Sequence, residues 1–247
     1  MKRFIAPLAV IVLAGIAPLA QATIQISYQI GSAASPTYCV PPGANDADCG
    51  VFTSGGLSIS GLTAHANLTG SSSLAITTGS ETHLENPTAA PIRIRINVLA
   101  SGFILPLTPP GPALEFNSGV SSGSPLPRSG DSTMSFRSCV DQSGVAASCT
   151  DAVIGGAVAP YVSAWLSPNV ATKPTDNKDA PTLVIPLLTT GYALDEEFDI
   201  TVGALATVTF SSGSTLTPVP EPMSIALLGG VVLLTSRLIR RKRSLVS

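Results

Sequence analysis

The chain is predicted to be all-β, an antiparallel sandwich or jelly-roll, on three observations. In its strongest stretches, residues 24–30, 92–98 and 200–210, apolar and polar side chains alternate, the period of a strand with one buried and one wet face. No segment between residues 23 and 217 carries a 3.6-residue period. Short apolar runs are separated by Gly, Ser, Thr and Pro, the composition of turns between short strands.

In chain order, Lys2 and Arg3 precede an apolar stretch over 4–19, and Ala20-Gln21-Ala22 has the small-x-small form of a signal-peptidase site. Residues 1–22 therefore read as a signal peptide and the mature chain begins at Thr23. Ile24, Ile26, Tyr28 and Ile30 set the first strand against Gln25, Ser27 and Gln29. Cys39 with Cys49, and Cys139 with Cys149, form two pairs of Cys-x9-Cys spacing around polar, turn-rich residues. In an exported chain this predicts two local disulfides, each contributing roughly 2 to 3 kcal/mol through chain entropy. The pairs lack the tight Cys-x2-Cys spacing that wraps a zinc ion. Weaker strand signals follow at 57–68 and 74–78, with His65 beside Thr63 and Asn67 on the polar side, expected to be exposed. Glu81, His83 and Glu85 alternate onto one strand face, a donor set suited to zinc or another transition ion. The preferred reading is a solvated face ending at Asn86-Pro87, and no metal is assigned.

Ile92, Ile94, Ile96 and Val98 alternate with Arg93, Arg95 and Asn97, and further weak strands are placed at 113–116, 134–139 and 182–188. Gly119-Val120-Ser121-Ser122-Gly123 has the Gly-x-Ser-x-Gly form of a nucleophile elbow, which needs a helix after it. Pro125 blocks one, and both histidines precede the serine, so a Ser/Gly loop is expected. Trp165 near Tyr161 reads as core, with a sugar-stacking platform as the sharper alternative. Asp176-Asn177-Lys178-Asp179 reads as a polar turn. Asp195, Glu196, Glu197 and Asp199 concentrate carboxylates of the kind calcium takes, without EF-hand spacing. A charged turn guarding a strand edge is preferred. Ile200, Val202, Ala204, Ala206, Val208 and Phe210 form the last strong strand, and Ser211 to Thr215 looks like a linker. This bounds an ectodomain at 23–211 and a flexible linker at 212–218.

Val219-Pro220-Glu221-Pro222 opens the tail, residues 219–247. Its two prolines lack donors and resist backward extension of a helix, so the motif is expected to stay extended and accessible. Residues 223–239 are apolar apart from small or hydroxyl residues and Arg237. As a helix they would span roughly 25 Å, a little less than the roughly 30 Å hydrocarbon core, with Arg237 snorkelling to the headgroups. Arg240, Arg241, Lys242 and Arg243 then form a basic end that stays cytoplasmic, while the signal peptide sends the body across.

Motif, apolar run and basic end in that order resemble the tail of the PEP-CTERM family of exported bacterial proteins. The resemblance covers the tail alone. It implies recognition by an exosortase, a membrane-embedded cysteine transpeptidase, cleavage near the motif, and passage from the inner membrane to the cell surface or extracellular matrix. A plain single-pass anchor on a periplasmic protein is the alternative.

Between residues 23 and 217, six basic side chains stand against fourteen acidic ones, a net charge of −8. Such a surface repels phosphate backbones and anionic lipids, which argues against nucleic-acid and peripheral membrane binding. With no histidine after a candidate nucleophile and no paired-carboxylate motif, no catalytic residue and no cofactor are assigned. The expected role is a structural or adhesive surface module. Its alternative is a module that binds or hydrolyses envelope polysaccharide. Exosortase and signal peptidase are the processing partners, and the membrane is reached through the C-terminal helix.

Overall fold

The computed structural model describes residues 23–33, 35–39, 46–66, 74–103 (backbone alone for 74–80), 113–123, 131–141, 149, 161–171, 175–186 and 192–219. The predicted signal peptide and everything from Pro220 onward, including the membrane helix and the basic end, lie outside these residues. Among the described residues no helix is long and apolar enough to cross a membrane.

The described strands are β1 (Thr23–Ile30), β2 (Thr37–Tyr38), β3 (Asp46–Asp48), β4 (Phe52–Ser54) and β5 (Leu57–Ser60). There follow β6 (Thr63–Ala66), β7 (Leu74–Glu85), β8 (Ile92–Phe103), β9 (Leu114–Gly123) and β10 (Thr133–Asp141). The chain continues through β11 (Tyr161–Val162), β12 (Asp176–Asp179), β13 (Leu183–Ile185), β14 (Tyr192–Val202) and β15 (Thr207–Pro218). They make two antiparallel sheets. One has the order β11-β10-β14-β8-β1-β2; the other runs β12-β9-β15-β7-β5-β4, with β13 also on β9 and β6 bridging β3 to β7.

The sheets face each other as a sandwich because each long strand turns its even-numbered apolar side chains to one side. Ile94, Ile96 and Val98 on β8, Phe198 and Ile200 on β14, and Val208, Phe210 and Leu216 on β15 are all buried. Phe198 lies 5.0 Å from Phe136 within its sheet and 4.9 Å from Phe210 across the gap. Full burial of each such side chain contributes about 1.5 to 3 kcal/mol. Cys39 is bonded to Cys49, and Cys139 to Cys149, the local pairing expected from the spacing.

Register fixes the two ends of the sandwich. Thr23 pairs with Ser101 near the end of β8, and Pro218 pairs with Leu114 at the start of β9. Glu196 lies against Ser212 and Ser214, while Phe198 lies against Phe210, so both sheets run toward that same end. Both chain termini of the sandwich therefore leave from one pole. At the other pole Asn86, fully buried, donates to the carbonyls of Ala90, Val202 and Gly203 and accepts from Thr88, latching one sheet to the other.

Several expectations are corrected. The proposed linker 212–218 is the second half of β15, paired with β7 on one side and β9 on the other. Its small polar residues hide a strand whose alternate positions Ser214 and Leu216 are completely buried. The sandwich thus extends to Pro218 instead of stopping at 211. The stretch 57–68 breaks at Gly61, whose φ of +68° turns the chain between β5 and β6. Residues 176–179 are an edge strand and not a turn. Residues 119–123 lie within β9, not in a loop, because β15 and β12 offer ladders on both sides.

Candidate functional site

The outer face of the β12-β9-β15 sheet carries a shallow trough of about 590 Å³. Phe116, Val120, Phe210 and Leu216 point into the core, so alternation sends Asn117, Gly119 and Ser121 of β9 and Ser211, Gly213 and Thr215 of β15 outward. Cross-strand register arranges them in rungs. Ser211, Ser121 and Asn177 make one; Gly213, Gly119 and Asp179 the next; Thr215 and Asn117 the third, with Thr182 at its end.

The middle rung is what makes a trough. Two facing glycines leave the backbone as its floor, and the Asp179 carboxylate leans over Gly119 closely enough that a Cβ there would run into it. On the flanking rungs the Ser121 hydroxyl donates to Asn177 Oδ1 at 2.7 Å and the Thr182 hydroxyl donates to Asn117 Oδ1 at 2.5 Å. Both carboxamide oxygens are thereby engaged, leaving the NH2 groups as donors beside the Asp179 acceptor. Glu81 and His83 extend the same polar face on β7.

A second concentration of charge lies on the other sheet. Residues 195–199 were expected in an edge-guarding turn; they form the interior of β14, paired with β8 and β10. Asp195 and Glu196 are fully buried, and Glu197 nearly so. Glu196 points into the sandwich and accepts from the Ser212 and Ser214 hydroxyls at 2.6 and 2.7 Å. On the outer side, Arg137 Nε donates to Glu197 Oε2 at 2.6 Å, and Asn97 Nδ2 donates to Asp195 Oδ2 at 3.0 Å. Burial, then the charge of Glu197, pushes the Asp195 carboxyl well above the usual carboxylate range against the opposing bond from Asn97. Two turns of the pleat away, the hydrogen bond from Arg93 holds Asp199 below that range. Extending the alternation of 200–210 back through Phe198 would have placed Glu196 inside; its serine partners are visible only in the register.

The remaining predicted residues are placed as follows. Glu81, His83 and Glu85 share the outward face of β7, with His83 Nε2 3.8 Å from Glu81. Their ligand atoms do not converge. Among the described residues, the three potential ligands whose atoms lie within 4.8 Å of one another are Cys139, Cys149 and Asp195, and those two sulfurs are spent on a disulfide. His65 is exposed on β6 beside Asp46. Ser121 sits in mid-strand, without the strand-to-helix turn a nucleophile elbow needs. Trp165, expected in the core, is 46 % exposed and covers the Arg137 guanidinium at 4.4 Å.

No family model matches the sequence, and no curated protein does. Two solved structures show partial likeness. One is TmCBM61 in complex with beta-1,4-galactotriose, with 8 % identity over 66 % of this chain and 83 % of that chain, at a TM-score of 0.30. The other is arabinose-bound MgGH51 a-L-arabinofuranosidase, with 15 % identity over 63 % of this chain and 23 % of that one, at a TM-score of 0.26. Scores this low carry no inference about ligand or activity, which rest on the residues above.

Proposed function

We propose that the chain is an exported surface or extracellular-matrix protein, sorted by an exosortase through its Pro220-Glu221-Pro222 tail, whose sandwich holds polysaccharide in the β12-β9-β15 trough. The tail sequence and two disulfides suited to an oxidising compartment support the first half. The observation that carries the second is the three-rung trough itself. Its rims offer amide donors, hydroxyls and one carboxylate over a glycine floor, the mixed hydrogen-bonding that sugar hydroxyls need and apolar ligands do not. Asp179 and the acidic body disfavour uronic-acid polymers and favour neutral or amino sugars. Glycoside cleavage calls for two carboxyl groups flanking the bond, and among the described residues the trough is lined by one carboxylate, Asp179, which favours binding over cleavage.

Immobilised neutral, amino-sugar and uronic-acid polysaccharides test this directly. Retention on the first two is expected to fall roughly tenfold in Gly119→Ala, which fills the floor and displaces Asp179, and in Asn117→Ala, which removes a rim donor. Far-ultraviolet circular dichroism of each variant should match the parent. Retention indifferent to both substitutions would remove the trough as the binding site.

A further inference from the structure

Trp165 combines three properties that the trough does not explain. It is exposed, yet fixed in place: the next residue, Leu166, is bonded through both its backbone N–H and C=O to Phe136 at 2.8 Å. One face of its indole is covered by a guanidinium that is itself nearly buried and held by Glu197. Nη2 of that Arg137 is buried and finds no hydrogen-bond acceptor among the described residues, so the ring is the partner that compensates this part of the cation. Ala164 and Ser167, on either side of Trp165 and Leu166 in the chain, are both exposed. The result is an aromatic plane whose orientation is set before any ligand arrives, which lowers the ordering cost of binding.

Arg137 and Glu197 face outward from the β10-β14 side of the first sheet, since their neighbours Phe136 and Phe198 face the core. Trp165 is therefore on the opposite outer surface of the sandwich from the trough. We infer that Trp165 is a second saccharide contact, stacking on the apolar C–H face of a pyranose ring and making the protein bivalent toward polysaccharide. The bivalence rests on the trough reading; the Trp165 contact does not. Scale decides between a sugar and a protein partner. A protein interface needs about 800 Å² per partner around clustered apolar anchors. Tyr38, Val51, Val184 and Leu205, the other exposed large apolar side chains among the described residues, belong to other strands and turns and build no patch around Trp165. One sugar ring needs only one aromatic face.

Trp165 is the chain's single tryptophan, so its fluorescence reports this site without background. With the full chain in detergent, neutral or amino-sugar oligosaccharides are expected to shift its emission and protect it from acrylamide quenching. Protection should persist in Gly119→Ala, whose trough is filled. Trp165→Ala should weaken retention on the polymer roughly five- to tenfold, and Trp165→Tyr, which keeps an aromatic plane over Arg137, should recover most of it. The wild-type protein should also precipitate long polysaccharide, and either variant, Trp165→Ala or Gly119→Ala, should fail to. Quenching unchanged at a saturating concentration of a retained sugar overturns the Trp165 contact while the trough stands. Protection at Trp165 with retention insensitive to Gly119→Ala supports the contact and removes the trough. Neither retention nor protection with any polysaccharide removes both.

Discussion

Asp195 and Asp199 lie on the same outer face of β14 and bend stability in opposite directions with pH. Asp199 has its folded pKa lowered, chiefly by Arg93, so its contribution is present at neutral pH and fades as pH falls through that lowered value. The pair is partly exposed, and Asp199→Asn is expected to cost well under about 1 kcal/mol at neutral pH and nothing in acid. Asp195 has its folded pKa raised by burial. Its contribution is complete below the ordinary value of 3.8 and is lost as pH climbs through the raised one. Asp195→Asn keeps an oxygen to accept from Asn97 while removing the charge, and should gain about a few degrees in melting temperature at neutral pH but not at pH near the ordinary value. Thermal melts of both variants across an acid-to-neutral series check this. Parallel curves for Asp195→Asn and wild type would refute the effect of burial.

At the scale of elements, β15 concentrates the consequences. It is paired along both edges, closes the core with Val208, Phe210 and Leu216, and supplies Ser212 and Ser214 to a buried glutamate. A chain ended after Ser211 is expected to lose most of a stability of about 5 to 15 kcal/mol, while one ended after Val219 folds. Circular dichroism melts and limited proteolysis distinguish the two outcomes, and equal stability would restore the linker. The strands 24–30 and 92–98 were legible because their wet faces are polar and their dry faces apolar. By contrast 200–210, which reads as one strand, is the end of β14 and the start of β15 joined by a turn over 203–206 with Leu205 at a φ of +53°, because the apolar alternation carries on across the hairpin. Residues 195–199 and 211–217 were not legible, because composition outweighed period there. Glu196 is an inward polar residue whose compensation comes from the facing sheet, and Ser212 and Ser214 look like linker until Glu196 is placed opposite them. The trough was equally hidden: 117–121, 177–179 and 211–215 meet only through sheet register, and no local motif announces it. Gly61 falls inside the strand signal 57–68, and its need for glycine comes from a positive φ and from the Glu81 carbonyl that would collide with a Cβ.

For the whole molecule, the polarity of the sandwich matters. Thr23 and Val219 leave from the same pole, and the motif expected to be processed begins at Val219 itself, whose N–H donates to the Ala113 carbonyl at 2.7 Å. On the proposed reading, export and folding depend on the signal peptide and the sandwich, while processing depends on the tail. Glu221→Ala and Pro222→Ala should therefore leave export intact and accumulate full-length precursor in the membrane fraction, read by immunoblot. Normal processing of both would leave the tail a plain anchor. The close junction between β15 and the tail also determines how the molecule carries mechanical load. Tension applied at Val219 runs along the axis of a strand bonded on both flanks, so it meets the β7 and β9 ladders in shear, many bonds at once, instead of peeling an edge strand one bond at a time. If the trough holds polymer as proposed, its pull enters through the same strand, so tether and grip meet in β15 and pass through the ladders it shares with β7 and β9.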